Sequence, residues 1–152
     1  MFQQNLILKI KMKKIAFLLF AIITLLSCEG DRVNRRNPHI PNYAVNIELN
    51  LTLPLYNNLQ YPGNAMLVNT GNSGLNGVIV FNSGNGIVAF DATCPNQYPT
   101  SCSRLEISIP HLICPCDDVE YSLYTGLPNA DLQYPLKQYR VSVTGNIVRI
   151  TN

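Results

Sequence analysis

Four of the five cysteines fall in one stretch, Asp91 to Asp118, as Cys94, Cys102, Cys114 and Cys116. Thiolates are ligands for soft and borderline metals, and thiol pairs outside the cytoplasm close to disulfides. Cys114-Pro115-Cys116 runs straight into Asp117-Asp118, whose carboxylates are hard oxygen donors. An even set of four in an exported chain is the arithmetic of two disulfides, with three possible connectivities. A bond between Cys114 and Cys116 would close a strained ring around Pro115, which sets that pairing aside and leaves the other two open. A strand-like run, Leu105, Ile107 and Ile109, separates the two cysteine groups. The pattern predicts two hairpin tips that face each other across one site.

This stretch resembles the cluster-binding half of the Rieske iron–sulfur family. Members carry a C-x-H loop and a C-x-x-H loop, whose cysteines hold one iron and whose histidines hold the other. Members with a bridging disulfide add a cysteine after the first motif and another inside the second, giving C-P-C-H. On that pattern Cys94 and Cys114 match the ligand cysteines, and Cys102 and Cys116 match the disulfide pair. Seventeen residues, Gln97 to Ile113, separate the motifs, a gap that suits the family. The likeness continues through Tyr121, Thr125-Gly126, Pro135-Leu136 and Tyr139-Arg140-Val141, over roughly the last half of the chain. It implies a Cys102–Cys116 bond, worth about 3 kcal/mol in the chain-entropy account of disulfides. It also implies that Cys94 and Cys114 lie close together.

The departures fall on the histidines. Asn96 stands at the first histidine position and Asp117 at the second. An amide is a very poor iron ligand and a carboxylate a hard one, and both replacements fall on the same iron. An ordinary [2Fe–2S] cluster is therefore expected not to assemble, so no cofactor and no metal are expected. Cys94 and Cys114, left without iron, are expected to oxidise to each other. The resulting reading is a domain without a functional cluster, stapled by two disulfides and serving as a binding or accessory module for another protein. The alternative is an electron-transfer protein holding a [2Fe–2S] cluster or a single metal through Cys94, Cys114 and Asp117, with Asp118 or a water added. A third reading is an unrelated exported β-domain with coincident spacing. Asp117-Asp118 equally reads as a solvated turn.

Strands must position these loops. Val45, Ile47, Leu49, Leu51 and Leu53 alternate as a half-buried strand that Pro54 stops. Asn57 to Gly77 is rich in Asn and Gly, with a Tyr61-Pro62-Gly63 turn and a short apolar stretch, Ala65 to Val68. Gly77 to Phe81 and Ile87 to Phe90 flank a tight Asn82 to Gly86 turn, and the return strand delivers Cys94 to a loop tip. Tyr121 to Tyr124 alternates as a short strand turned by Thr125-Gly126, and Leu127 to Tyr134 reads as a loop. Tyr139, Val141 and Val143 pair with Ile147, Val148 and Ile150 across Thr144-Gly145-Asn146. No segment after residue 28 has a helical period. The expected fold class is all-β, a small antiparallel sandwich or barrel of roughly eight to ten strands over residues 43–152.

Ahead of that domain, Lys13-Lys14 precedes a twelve-residue apolar run, Ile15 to Leu26, with the proportions of a signal-peptide core. Residues 1–27 read as a signal peptide, with Met12 a plausible start. Leu25-Leu26-Ser27-Cys28 resembles the lipobox of bacterial lipoproteins, which implies diacylation of Cys28 and a new N-terminus there. Residues 28–42 read as a lipidated tether punctuated by Pro38 and Pro41, with His39 solvated. The implied location is the cell envelope, lipid-anchored outside the cytoplasm. From Cys28 onward seven Lys or Arg face nine Asp or Glu, so nothing points to a nucleic-acid partner. His111 sits on the wrong side of Cys114 for a ligand, and strand alternation turns it the other way. With no nucleophile–base set and no phosphate-cradling loop, an enzyme is not expected.

Overall fold

The computed structural model describes residues 37–152. The signal segment 1–27, the start at Met12, Cys28 and the tether up to residue 36 lie outside the described residues.

The domain is all-β. In chain order its strands are β1 (Asn46–Asn50), β2 (Ala65–Val68), β3 (Val78–Asn82), β4 (Ile87–Asp91), β5 (Glu106–Ser108), β6 (His111–Cys114), β7 (Val119–Ser122), β8 (Arg140–Thr144) and β9 (Ile147–Thr151). They form three antiparallel sheets of three strands, ordered β1-β9-β8, β2-β3-β4 and β5-β6-β7. The first is a chain-end closure, with Ile47 opposite Ile150 and Leu49 opposite Val148. Those four side chains are buried, as the alternation requires.

β3 explains how the sheets combine. Val78, Ile79, Val80 and Phe81 are all fully buried. Val78 and Val80 join a core with Ile47, Leu49, Val148 and Ile150. Ile79 and Phe81 join a second core with Cys94, Leu112, Cys114, Tyr121 and Leu123. A strand covered on both faces must be apolar at every position, and this run is. Each such side chain contributes about 1.5–3 kcal/mol relative to exposure. The second core is the floor of the cysteine site.

Several local expectations change. β1 stops at Asn50, whose Oδ1 accepts hydrogen bonds from Thr52 N (3.0 Å) and Thr52 Oγ1 (2.8 Å). Alternation continues past it, but Leu53 is exposed in the following turn. The Asn/Gly-rich stretch contains a short 3-10 helix, Asn57–Gln60, which buries Leu59. Asn82 Nδ2 donates to Leu59 O at 2.8 Å and ties that turn to β3. The strand read at Tyr121 to Tyr124 begins and ends two residues earlier, because pairing with β6 sets its register at Cys114 opposite Val119. Gly126 turns the chain at φ 73°, and a Cβ there would stand 3.2 Å from Phe90 Cε1.

The tether also ends sooner than its composition suggests. Ile40 is buried, and Asn37 Nδ2 donates to Pro95 O at 2.6 Å. His39 is half-buried, not solvated, with its ring edge-on to Tyr98 and Tyr134 at 4.8 and 5.7 Å. Aromatic contacts therefore dock residues 37–40 onto the first cysteine loop.

Candidate functional site

Two loops build the site. The first leaves β4 at Asp91, a buried carboxylate. Its Oδ1 accepts from Thr93 N at 2.8 Å, and its Oδ2 accepts from Tyr139 OH at 2.6 Å. The turn places Cys94, whose N–H donates to Ser103 O at 2.8 Å. Ser103 Oγ accepts from Thr100 N at 2.8 Å and closes the loop behind Cys102. Burial, then the Asp91 charge and its hydrogen bond, raise the Tyr139 phenol far above its ordinary value, so it stays a donor.

The second loop joins β6 to β7. Asp117 N and Asp118 N both donate to Cys114 O, at 3.3 and 2.9 Å, which folds Cys114-Pro115-Cys116 into a tight turn. Asp118 sits at φ 57°, a conformation Asp tolerates better than most residues. Asp117 is exposed, and its Oδ1 accepts from Val119 N at 3.2 Å. It is therefore a turn former at the surface. Asp118 is exposed too.

The loops meet through sulfur. Cys94 is bonded to Cys114 with Cα atoms 5.7 Å apart, and Cys102 to Cys116 with Cα atoms 5.2 Å apart. The first pair is buried, Cys116 is half-buried and Cys102 is exposed. The Sγ atoms of Cys94, Cys114 and Cys116 lie within 4.8 Å of one another. The third atom beside the ligand-type cysteines is thus Cys116 sulfur, where the alternative, metal-holding reading of the sequence had the Asp117 carboxylate. Polar hydrogens surround these sulfurs. Gln97 Nε2 donates to Cys114 Sγ at 3.2 Å, and Thr100 Oγ1 lies 3.1 Å from Cys102 Sγ.

Asn96, two residues beyond Cys94, has both amide hydrogens and its oxygen engaged. Its Nδ2 donates to Tyr121 OH at 3.0 Å and to Tyr134 O at 2.7 Å, and its Oδ1 accepts from Tyr134 N at 2.9 Å. The amide reads like a strand edge to Tyr134 and pins that loop over the site. Burial raises the Tyr121 phenol, the Asn96 hydrogen bond opposes that rise, and the Asp117 charge adds to it. His39 covers the flank, and its Nδ1 is buried without a partner among the described residues. His111 faces away from Cys114, with Nδ1 3.9 Å from Glu120 at the surface.

Sequence reasoning marked Cys94, Asn96, Cys102, Cys114, Cys116 and Asp117, and the two loops bring the four cysteines together through sulfur, with Asn96 bonded to Tyr121 and Tyr134 and Asp117 exposed in the second turn. It gave no role to Asp91, Gln97 or Tyr134, placed Tyr139 only in the wider likeness and a strand, and read His39 as solvated. An acidic residue ending an apolar strand, as Asp91 does after Phe90, was the one available signal.

Neither a family model nor a curated protein matches the chain. Among solved structures, the chain is similar to one in a complex of reduced oxygenase and oxidized ferredoxin in carbazole 1,9a-dioxygenase, at 24% identity and TM-score 0.46, covering 62% of this chain and 85% of that one. It is also similar to the ferredoxin of carbazole 1,9a-dioxygenase from Nocardioides aromaticivorans, at 19% identity and TM-score 0.44, covering 71% and 96%. A third similar structure is the NMR structure of the E. coli protein NirD, at 17% identity and TM-score 0.40, covering 60% and 86%.

Proposed function

We propose that this chain is a lipid-anchored envelope protein whose Rieske-like domain carries a disulfide staple where the family carries a [2Fe–2S] cluster, and that it serves as a binding or accessory module for another protein. The observation that carries this reading is the state of the ligand positions. Cys94 and Cys114 are bonded to each other, and Asn96 has its amide committed to Tyr121 and Tyr134. A cluster needs two thiolates on one iron and two good ligands on the other. Here the first pair is spent on a disulfide, and the second is an engaged amide and a surface carboxylate, so this donor set does not fit the group. The proposed domain therefore transfers no electrons through iron.

The test is composition. Full-length protein made with iron–sulfur assembly available should be colourless, free of iron, and free of thiols at Cys94, Cys102, Cys114 and Cys116. Stoichiometric iron with visible charge-transfer absorption would replace this reading with the electron carrier. The anchor is tested apart: Cys28→Ser should leave an unprocessed precursor or free the protein from membranes, and normal processing with full membrane retention would rule out lipidation.

A further inference from the structure

We propose that the two disulfides form one thiol–disulfide exchange site, which takes two electrons from an external dithiol at Cys102 and relays the opening inward to Cys94–Cys114. The inference rests on the reading of the four cysteines as two disulfides. The geometry is graded from outside to inside. Cys102 is exposed, Cys116 half-buried, and Cys94 and Cys114 are buried. An open groove lined by Leu67, Leu105, Ile107 and Pro115 runs beside Cys102, so its sulfur is approached from solvent.

Exchange requires a thiolate to attack one sulfur and expel the other, and it runs faster when the leaving sulfur is stabilised as an anion. At Cys116 two hydroxyls are in place, Thr100 Oγ1 at 3.6 Å and Ser103 Oγ at 3.8 Å. Thr100 Oγ1 also lies 3.1 Å from Cys102 Sγ, and its single hydrogen serves one sulfur at a time. Because Cys102 is the exposed sulfur of the pair, attack there forms a mixed disulfide and releases Cys116 as a thiolate, which Ser103 and Thr100 can then stabilise. That thiolate lies within 4.8 Å of both inner sulfurs. Attack on Cys114 would close the strained ring around Pro115, so the productive target is Cys94. The new bond is Cys94–Cys116, and the bond broken is Cys94–Cys114. The expelled sulfur is Cys114, which already accepts from Gln97 Nε2 at 3.2 Å. The reagent's second thiol then attacks the mixed disulfide and leaves as a cyclic or intramolecular disulfide. Two electrons and two protons have moved: the dithiol is oxidised, Cys102 and Cys114 end as thiols, and Cys94–Cys116 remains. The hydroxyls and the Gln97 amide thus sit at the sulfurs that must carry negative charge.

The experiment uses the full-length chain in detergent. Intact mass and a thiol count before treatment establish that both disulfides are present, a question separate from the relay. Limiting dithiothreitol is then added, samples are quenched in acid and alkylated, and peptides are mapped by tandem mass spectrometry. The relay predicts a first species alkylated at Cys102 and Cys114 with Cys94 bonded to Cys116. A first species alkylated at Cys102 and Cys116, with Cys94–Cys114 intact and persisting, would overturn it. In C102S/C116S the inner disulfide should open at least about tenfold more slowly, because an intramolecular thiolate acts at far higher effective concentration than added reagent. Opening at the wild-type rate would overturn the relay as well. If that variant does not fold, the wild-type map alone decides.

Discussion

Replacing Asp91 with alanine should lower the unfolding free energy by about 3 kcal/mol, since it strands two buried donors and removes charge-assisted bonds worth about 1.5–3 kcal/mol each. Those donors are Thr93 N and Tyr139 OH, both in residues with little or no exposure. Thr93 also accepts from Asn76 Nδ2 at 3.1 Å, so the loss spreads into the turn that presents Cys94. Asp91→Asn keeps an oxygen for Thr93 N and a rotatable partner at Tyr139, and should cost about half as much. Denaturant midpoints measure both, and an alanine variant within about 0.5 kcal/mol of wild type would discard the account. The same pair predicts an alkaline signature. The folded Tyr139 phenol is held above its unfolded value of 10.0, so its contribution is complete below that value and is lost as pH rises from there toward the folded one. Tyr139→Phe should therefore lose less stability than wild type between about pH 8 and about pH 11.

How much of this was legible before the structure follows from the range of each signal. Strand positions could be read because each is carried by neighbours two residues apart, as in Ile47, Leu49 and Leu51. The four-residue apolar run of β3 marked a strand, but not that it divides two cores. That depends on which sheets cover each face, a property of no single segment. The site had two kinds of information. Cys94 and Cys114 stand 20 residues apart on successive loops, and cysteine type with spacing made them visible. Asn96 was visible only as a missing histidine, because its partner Tyr134 lies 38 residues away in a loop without period. Asp91 and Tyr139 are 48 apart and neither pattern mentions the other. His39 was hidden by its polar neighbours, since composition averages over a segment and cannot see one ring packed between two tyrosines. Leu53 failed in the opposite way: Asn50 ended the strand by capping its own turn while the alternation ran on.

Asn96→Ala should cost about 1–3 kcal/mol, because three hydrogen bonds disappear and the Tyr121 hydroxyl and both backbone groups of Tyr134 lose their partner in a half-buried site. Part of that cost should appear as release of the Tyr134 loop, read as faster amide exchange at Tyr134. Asn96→Asp is the sharper probe. Its carboxylate can still accept from Tyr134 N, and from Tyr121 OH once that hydroxyl turns its hydrogen toward it, but it faces Tyr134 O, where the amide donated. That acceptor pair favours the protonated carboxyl and raises its folded pKa. The variant should then approach wild type only at pH below the unfolded carboxyl's value of about 4, and lose stability as pH rises through the folded value. A flat pH response, or an alanine variant as stable as wild type, would show the amide to be incidental. The outcome also bears on the histidine that the resembled pattern has at this position. An imidazole at this position cannot give two N–H donors to Tyr121 and Tyr134 while accepting from Tyr134 N, so Asn96→His should carry a penalty close to that of alanine. Placing an imidazole here would then work against the local fold: the position can serve a metal or hold the Tyr134 loop, and the chemistry of the amide serves the loop.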